Sequence, residues 1–120
     1  MAKYVDGFVI ALPRKNIAAY KKMALMGRRI WMKNGALQYF ECVGDDLGVT
    51  PGCGPGFLKG IRPKPGETVV FAFVTYKSRA DRRAVNAKVM KDMEAAGGPP
   101  NMPFGMERFL FGGFKVLVEG

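Results

Sequence analysis

Glu67-Thr68-Val69-Val70-Phe71-Ala72-Phe73-Val74-Thr75-Tyr76-Lys77 is the most strongly patterned stretch of this 120-residue chain, β-branched and aromatic nearly throughout. It reads as a strand. Immediately after it, Ser78 with Asp81 forms an acidic variant of the capping box and opens a helix to about Ala95, striped by Val85, Val89 and Met93. Before it, residues 44–66 hold seven glycines and four prolines, the composition of a long loop, with a short strand expected at Phe57–Ile61.

Further out, residues 3–12 alternate as a strand. Tyr4, Asp6, Phe8 and Ile10 point one way, and Val5, Gly7, Val9 and Ala11 the other. Pro13 ends it, and Asn16 is the expected N-cap of a helix to Lys33. Ile17, Tyr20, Ala24, Gly27 and Trp31 recur at helical spacing, and Asn34-Gly35 stops the helix. A strand at about 36–43, a loop at Gly97–Gly105 and a final strand at Met106–Glu119 complete the order β-α-β-β-α-β. The expected fold is therefore one α+β domain over residues 1–120, ferredoxin-like: a four-stranded antiparallel sheet with two helices on one face. The other face is left open, and an apolar sheet face in water needs a cover.

Composition narrows the chemistry. Hydrophobic residues make up 48%, ordinary for a globular chain, and no apolar run is long enough to span a bilayer. With no signal-peptide pattern at the start, the cytoplasm is the expected location, without membrane association. Cys42 and Cys53 stand in unlike contexts and form no disulfide framework. The chain has no histidine, which removes Ser-His-Asp and Cys-His nucleophilic systems, histidine metal sites and histidine haem ligation together. The net charge of +9 is uneven. No acidic residue lies between Asp6 and Glu41, while Arg14, Lys15, Lys21, Lys22, Arg28, Arg29 and Lys33 do. Such a surface suits anions, RNA or a headgroup layer, and equally a solvated helix face.

Two readings compete for the open face. In the first, Val69–Tyr76 fits the third-strand signature of the RNA-recognition motif at every specified position but the first two, so that Phe71 and Phe73, joined by Phe8, would stack on bases. In the second, two sheets pack face to face into a barrel, with Phe8, Ile10, Phe71 and Phe73 inside it or at the seam.

Tyr4-Val5-Asp6-Gly7-Phe8 at one end and Met102-Pro103-Phe104, Arg108 and Gly112-Gly113-Phe114 at the other carry a resemblance. Between them, so do Gly35-Ala36-Leu37, Glu41-Cys42, Asp46, Val69-Val70-Phe71, Ser78, Arg82, Asn86, Lys88, Met90 and Asp92. With these residues the chain resembles the YbaA-like bacterial family, a domain of unknown function in the dimeric α/β-barrel superfamily. It departs from that pattern in its glycine- and proline-rich residues 47–66. The resemblance implies a homodimer enclosing the sheet face, within a superfamily that includes monooxygenases and isomerases.

The candidate catalytic residues are Asp6, Glu41 and Arg108, with Tyr4, Phe8, Trp31, Asp46, Phe71 and Phe73 as candidate ligand contacts. Asp6 shares a strand face with apolar residues, which calls for a partner, and Arg108 on the neighbouring last strand is the expected one. The plainer reading of Asp6–Arg108 is a buried pair that fixes register, placed ahead of a catalytic role. As chemistry, Asp6 or Glu41 would be a general base and Arg108 the holder of an anionic substrate or enolate. Fold analogy points to cofactor-independent oxygenation or isomerisation of a small conjugated carbonyl compound, with no metal and no cofactor. The loop at Gly52-Cys53-Gly54-Pro55-Gly56 lacks the spacing of a phosphate-binding P-loop and reads as a flexible or dimer-contacting segment.

Overall fold

The computed structural model describes residues 2–98 and 102–120, so Met1 and positions 99–101 of the expected 97–105 loop lie outside the described residues. Strand β1 (Tyr4–Pro13) leads through a 3-10 turn at Arg14–Asn16 into helix α1 (Ile17–Lys33), then β2 (Gln38–Val43), a short helix α2 (Phe57–Ile61) and β3 (Glu67–Tyr76). Helix α3 (Arg79–Ala95), a 3-10 turn at Met106–Arg108 and β4 (Leu110–Lys115) follow. The strands lie in the order β2-β3-β1-β4 with every neighbouring pair antiparallel, compatible with a ferredoxin-like fold. No helix of the described residues is long and apolar enough to cross a membrane.

Strand alternation sorts the core. Ile10 and Leu12 of β1 and Val70 and Ala72 of β3 pack with Tyr20 and Ala24 of α1 and with Phe104. Val74 and Tyr76 of β3 pack with Ile30 of α1 and with Val85 and Val89 of α3. Both helices thus cover the face that carries Tyr4, Asp6, Phe8 and Ile10. The side chains of Val69, Phe71 and Phe73 turn to the opposite face. Phe8 is therefore not coplanar with Phe71 and Phe73, contrary to both readings that grouped them; a two-residue period forbids it at the observed register, where Phe8 faces Ala72.

Phe57–Ile61 is helical where a strand was expected. Arg62, in the left-handed region at φ 51°, closes it after one turn. The turn docks Ile61 against Ala11 and Val69 of the outer face, with Val9 and Leu47 beside them. The glycine-rich segment thus covers part of that face. Phe40 and Phe71 stay exposed, at 46% and 44%, and Phe73 is half-buried beside them, its ring centroid 4.9 Å from that of Phe40 and 5.8 Å from that of Phe71.

Two end signals worked differently from each other. Ser78 caps α3 as expected, its Oγ accepting from the Asp81 N–H at 3.0 Å. Asn16 does not cap α1, because the 3-10 turn runs straight into the helix; its side-chain amide instead donates to the Pro103 carbonyl at 2.9 Å, tying residues 102–104 to α1. The last strand is shorter than expected, since Met106–Arg108 forms the 3-10 turn. The terminal glycines have a steric reason. A Cβ on Gly113 would stand 2.7 Å from the Tyr4 hydroxyl, so only glycine lets that ring lie across β4.

Arg108 guards the start of β4, donating to both carboxylate oxygens of Glu67 (2.5 and 2.6 Å) and to the Arg62 carbonyl at 3.2 Å. These hydrogen bonds hold the Glu67 carboxyl below the ordinary carboxylate range. A carboxyl depressed in the folded state adds stability above its unfolded value, about 4.3, and loses it as pH falls through the folded value. Glu67→Gln should therefore lower the urea midpoint at pH 7 but approach wild type below about pH 4. A wild-type-to-variant gap that does not change with pH would refute the pairing.

Candidate functional site

Glu41 sits on β2 facing the helices, and each of its carboxylate oxygens accepts a phenol proton. Tyr20 of α1 donates to Oε1 at 2.6 Å and Tyr39 of β2 donates to Oε2 at 2.7 Å. Tyr39 reaches it by the strand period of two, and Tyr20 arrives from the buried stripe of α1. Gly27 makes the approach possible: a Cβ there would lie 2.6 Å from the Tyr39 hydroxyl. A glycine inside a helix costs about 1 kcal/mol relative to alanine, so its place under that hydroxyl matters. Burial, followed by the hydrogen bond to Glu41, drives the Tyr20 phenol well above its ordinary pKa; burial, followed by the Glu41 charge, does the same for Tyr39. Both remain proton donors at any working pH.

The three polar groups face a cavity of about 140 Å³ between sheet and helices. Its other walls are apolar: Phe8, Ile10, Met23, Trp31, Met93, Met102, Phe104 and Phe109 among them. An apolar cavity of this size accepts a benzene-sized body. A second, wider cleft of about 400 Å³ opens on the β2 side of α1, and Tyr20, Tyr39 and Glu41 line both.

The second carboxylate is held by a cation. Asp6 is 4% exposed, and Arg82 of α3 donates through Nη2 at 2.7 Å and through Nε at 3.0 and 3.1 Å. Tyr76 adds a hydroxyl donor at 2.9 Å, and burial, followed by the Asp6 charge, raises its phenol pKa. The expected Asp6–Arg108 pair does not form. Although β1 and β4 are neighbours, their antiparallel register sets Asp6 opposite Gly113, whereas Leu110 already lies opposite Val9. Arg108 is thereby carried to the far end of β1, beside Glu67.

Comparison with known proteins gives the lineage. A family described as proteins of unknown function, DUF1428, matches residues 3–106. The uncharacterised protein YbaA of Escherichia coli K12 is 35% identical over 117 residues, covering 98% of each chain, and YbaA of Shigella flexneri matches equally. The chain belongs to this YbaA-like family. A crystal structure described as a Bacillus cereus protein related to NIF3 aligns with all of this chain and 27% of its own at TM-score 0.38 and 11% identity, a likeness that carries no argument.

The YbaA-like residues quoted above divide in space. Asp6, Arg82 and Asn86 meet in one network, with the Trp31 indole N–H donating to Asn86 Oδ1 at 3.3 Å. Asp92 accepts from the Asn34 amide at 2.8 Å, which ties the end of α1 to α3. Glu41, Phe8, Trp31 and Phe104 meet at the cavity. Tyr4 lies under the Arg82 guanidinium, 5.7 Å from its ring centre, rather than in the cavity wall. Asp46 is exposed on the loop after β2, and Phe71 and Phe73 belong to the outer sheet face. Among the described residues no group of three potential metal-ligating side chains gathers.

Sequence reading missed Tyr20 and Tyr39 as polar partners. Tyr20 was legible only as part of an apolar stripe; the Tyr39-x-Glu41 spacing on one strand face was the available signal. It also missed Arg82 as the partner of Asp6, a pairing between residues 76 positions apart.

Asp6 therefore faces a cation and a phenol with no opening to the cavity wall. Asp6→Asn should lower stability by about 3 kcal/mol, the scale for breaking a buried ion pair, by chemical denaturation. A stability loss below about 0.5 kcal/mol would show that the pair is solvated and that Asp6 is free for other work.

Proposed function

We propose that this protein is a homodimer that binds a small conjugated carbonyl compound beside Glu41 and moves a proton on it, without metal or haem. The observation that supports this reading is the Glu41 carboxylate held by two phenols in an otherwise apolar cavity. A base in such surroundings is poorly solvated but oriented, and the donors beside it are fixed before any ligand arrives.

The residues suffice for an isomerisation. Glu41 takes a proton from the γ carbon, at the far end of the conjugated system, and the electron pair moves through the C=C bond toward the carbonyl oxygen to give a dienolate. Protonation of one Glu41 oxygen releases the phenol it held, Tyr20 or Tyr39, to donate to the enolate oxygen. Glu41 then returns the proton to the carbon next to the carbonyl, and the C=C bond has moved out of conjugation. Protons and electrons balance with no co-reactant. Oxygenation, the other reaction suggested by fold analogy, would require dioxygen, and no residue here argues for it.

Solvent exchange tests the step directly. In D2O, the protein should accelerate deuterium uptake at the γ carbon of cyclohex-2-enone, followed by NMR. Glu41→Gln, which keeps the shape but cannot take a proton, should lose about 100-fold of that acceleration. Equal exchange by both proteins would remove Glu41 as the base.

Dimerisation is supported by the exposed Phe40 and Phe71 on the outer face, with the half-buried Phe73 beside them, since rings so exposed are stabilised by a second copy's sheet. The mass in solution should be twice the 13.2 kDa of the chain at low and moderate salt, and Phe71→Glu should halve it. A wild-type monomer would instead favour RNA stacking on Phe40, Phe71 and Phe73, a platform without Phe8.

A further inference from the structure

The wider cleft on the other side of Glu41 bears on what the ligand carries. Its floor is apolar, with Leu12 of β1 and Val70 of β3, and its rim holds Lys21, Leu25 and Arg28 of α1. Those three rim residues are four and three positions apart, so they share one helix face, and the Cα atoms of Lys21 and Arg28 are about 10 Å apart along the axis. Neither Lys21 nor Arg28 forms an ion pair with a described residue. Helix α1 contains no acidic residue, so nothing on it offsets them.

Charge is thus arranged along the cleft. Two unneutralised cations stand at the rim, an apolar floor lies below, and the Glu41 carboxylate, which also lines the smaller cavity, stands at the inner end. An organic anion entering this cleft is attracted at the rim and repelled by Glu41, which orients it with the charged end outward and the uncharged end toward the cavity. A neutral ligand would gain nothing from the cations, and a polyanion such as RNA would not fill an apolar floor.

We propose that the ligand is an amphipathic carboxylate, with its carboxylate anchored at Lys21 and Arg28 and its apolar, ring-sized end seated beside Glu41. This rests on the reading of the Glu41 cavity as a ligand site and adds the class of compound it takes. The cavity of about 140 Å³ accommodates one ring, and the cleft of about 400 Å³ accommodates the linker and the anionic end. Lys21 and Arg28 are positioned as specificity determinants that do not touch the proton being moved.

The test uses a matched pair, 4-phenylbutanoate and its neutral amide, titrated into the full chain at low ionic strength and followed through backbone amide NMR shifts. The acid should bind about tenfold more tightly than the amide, with shifts at Tyr39 and Glu41, and lose that advantage in salt of a few hundred millimolar. Lys21→Gln and Arg28→Gln, both at exposed positions, should each weaken the acid about threefold and leave the amide unchanged. Equal binding of acid and amide, or an acid indifferent to both substitutions, would overturn the carboxylate assignment while leaving the cavity as a binding site. Failure of both compounds to move Tyr39 and Glu41 would overturn the cavity reading itself, and the carboxylate assignment with it.

Discussion

The antiparallel ladder between β1 and β3 is the constraint from which the rest follows. It runs unbroken from Tyr4 opposite Tyr76 to Pro13 opposite Glu67. Once this register is set, the period of two fixes every side chain of both central strands on one face or the other. Asp6, Phe8, Ile10, Val70, Ala72 and Tyr76 turn to the helices, and Val9, Val69, Phe71 and Phe73 turn away. The outer strands inherit the same partition, since β2 pairs with β3 and β4 with β1. A one-residue slip of β3 against β1 would turn Val70, Ala72, Val74 and Tyr76 out of the core and put Phe71 and Phe73 into it, leaving Asp6 without its phenol partner.

The two carboxylates on the helix face show how environment separates similar groups. Asp6 meets a guanidinium and a phenol, so its charge is compensated where it lies, and that compensation joins β1, β3 and α3. Glu41 meets two phenols and, among the described residues, no cation. Neutral donors orient a carboxylate without cancelling its charge, and the apolar walls leave that charge exposed to whatever enters the cavity. A chain of side chains runs between them, from Tyr39 against the Trp31 ring at 6.2 Å to Asn86 and on toward Tyr76. The positions of the two groups are therefore coupled through packing on α1 and α3.

Much of the fold was legible because it is written in local chemistry. The Glu67–Tyr76 strand, the Ser78 cap and the apolar stripes of α1 and α3 depend on spacings of two to four residues, and the structure has them. Local signals failed where a distant partner outcompeted them. Asn16 had the composition of a cap but found the Pro103 carbonyl, and Phe57–Ile61 had strand-like residues but gained more by docking Ile61 under β1 and β3. Of the site, Glu41, Phe8 and Trp31 were identifiable as residues worth watching, while the Asp6–Arg108 pair assumed a register that alternation alone cannot supply.

By itself the sequence determined the order of elements, the absence of histidine chemistry, the concentration of positive charge on α1, and the family. These depend on composition and short-range pattern, which need no knowledge of what lies across the sheet. Only the tertiary structure decided which partner each charge received. Arg82 went to Asp6, Arg108 to Glu67 and Tyr20 to Glu41, because antiparallel register and helix docking bring together residues separated by 76, 41 and 21 positions. Separations of that length leave no periodic trace in the chain, so the electrostatics of the site exist only once the sheet has formed.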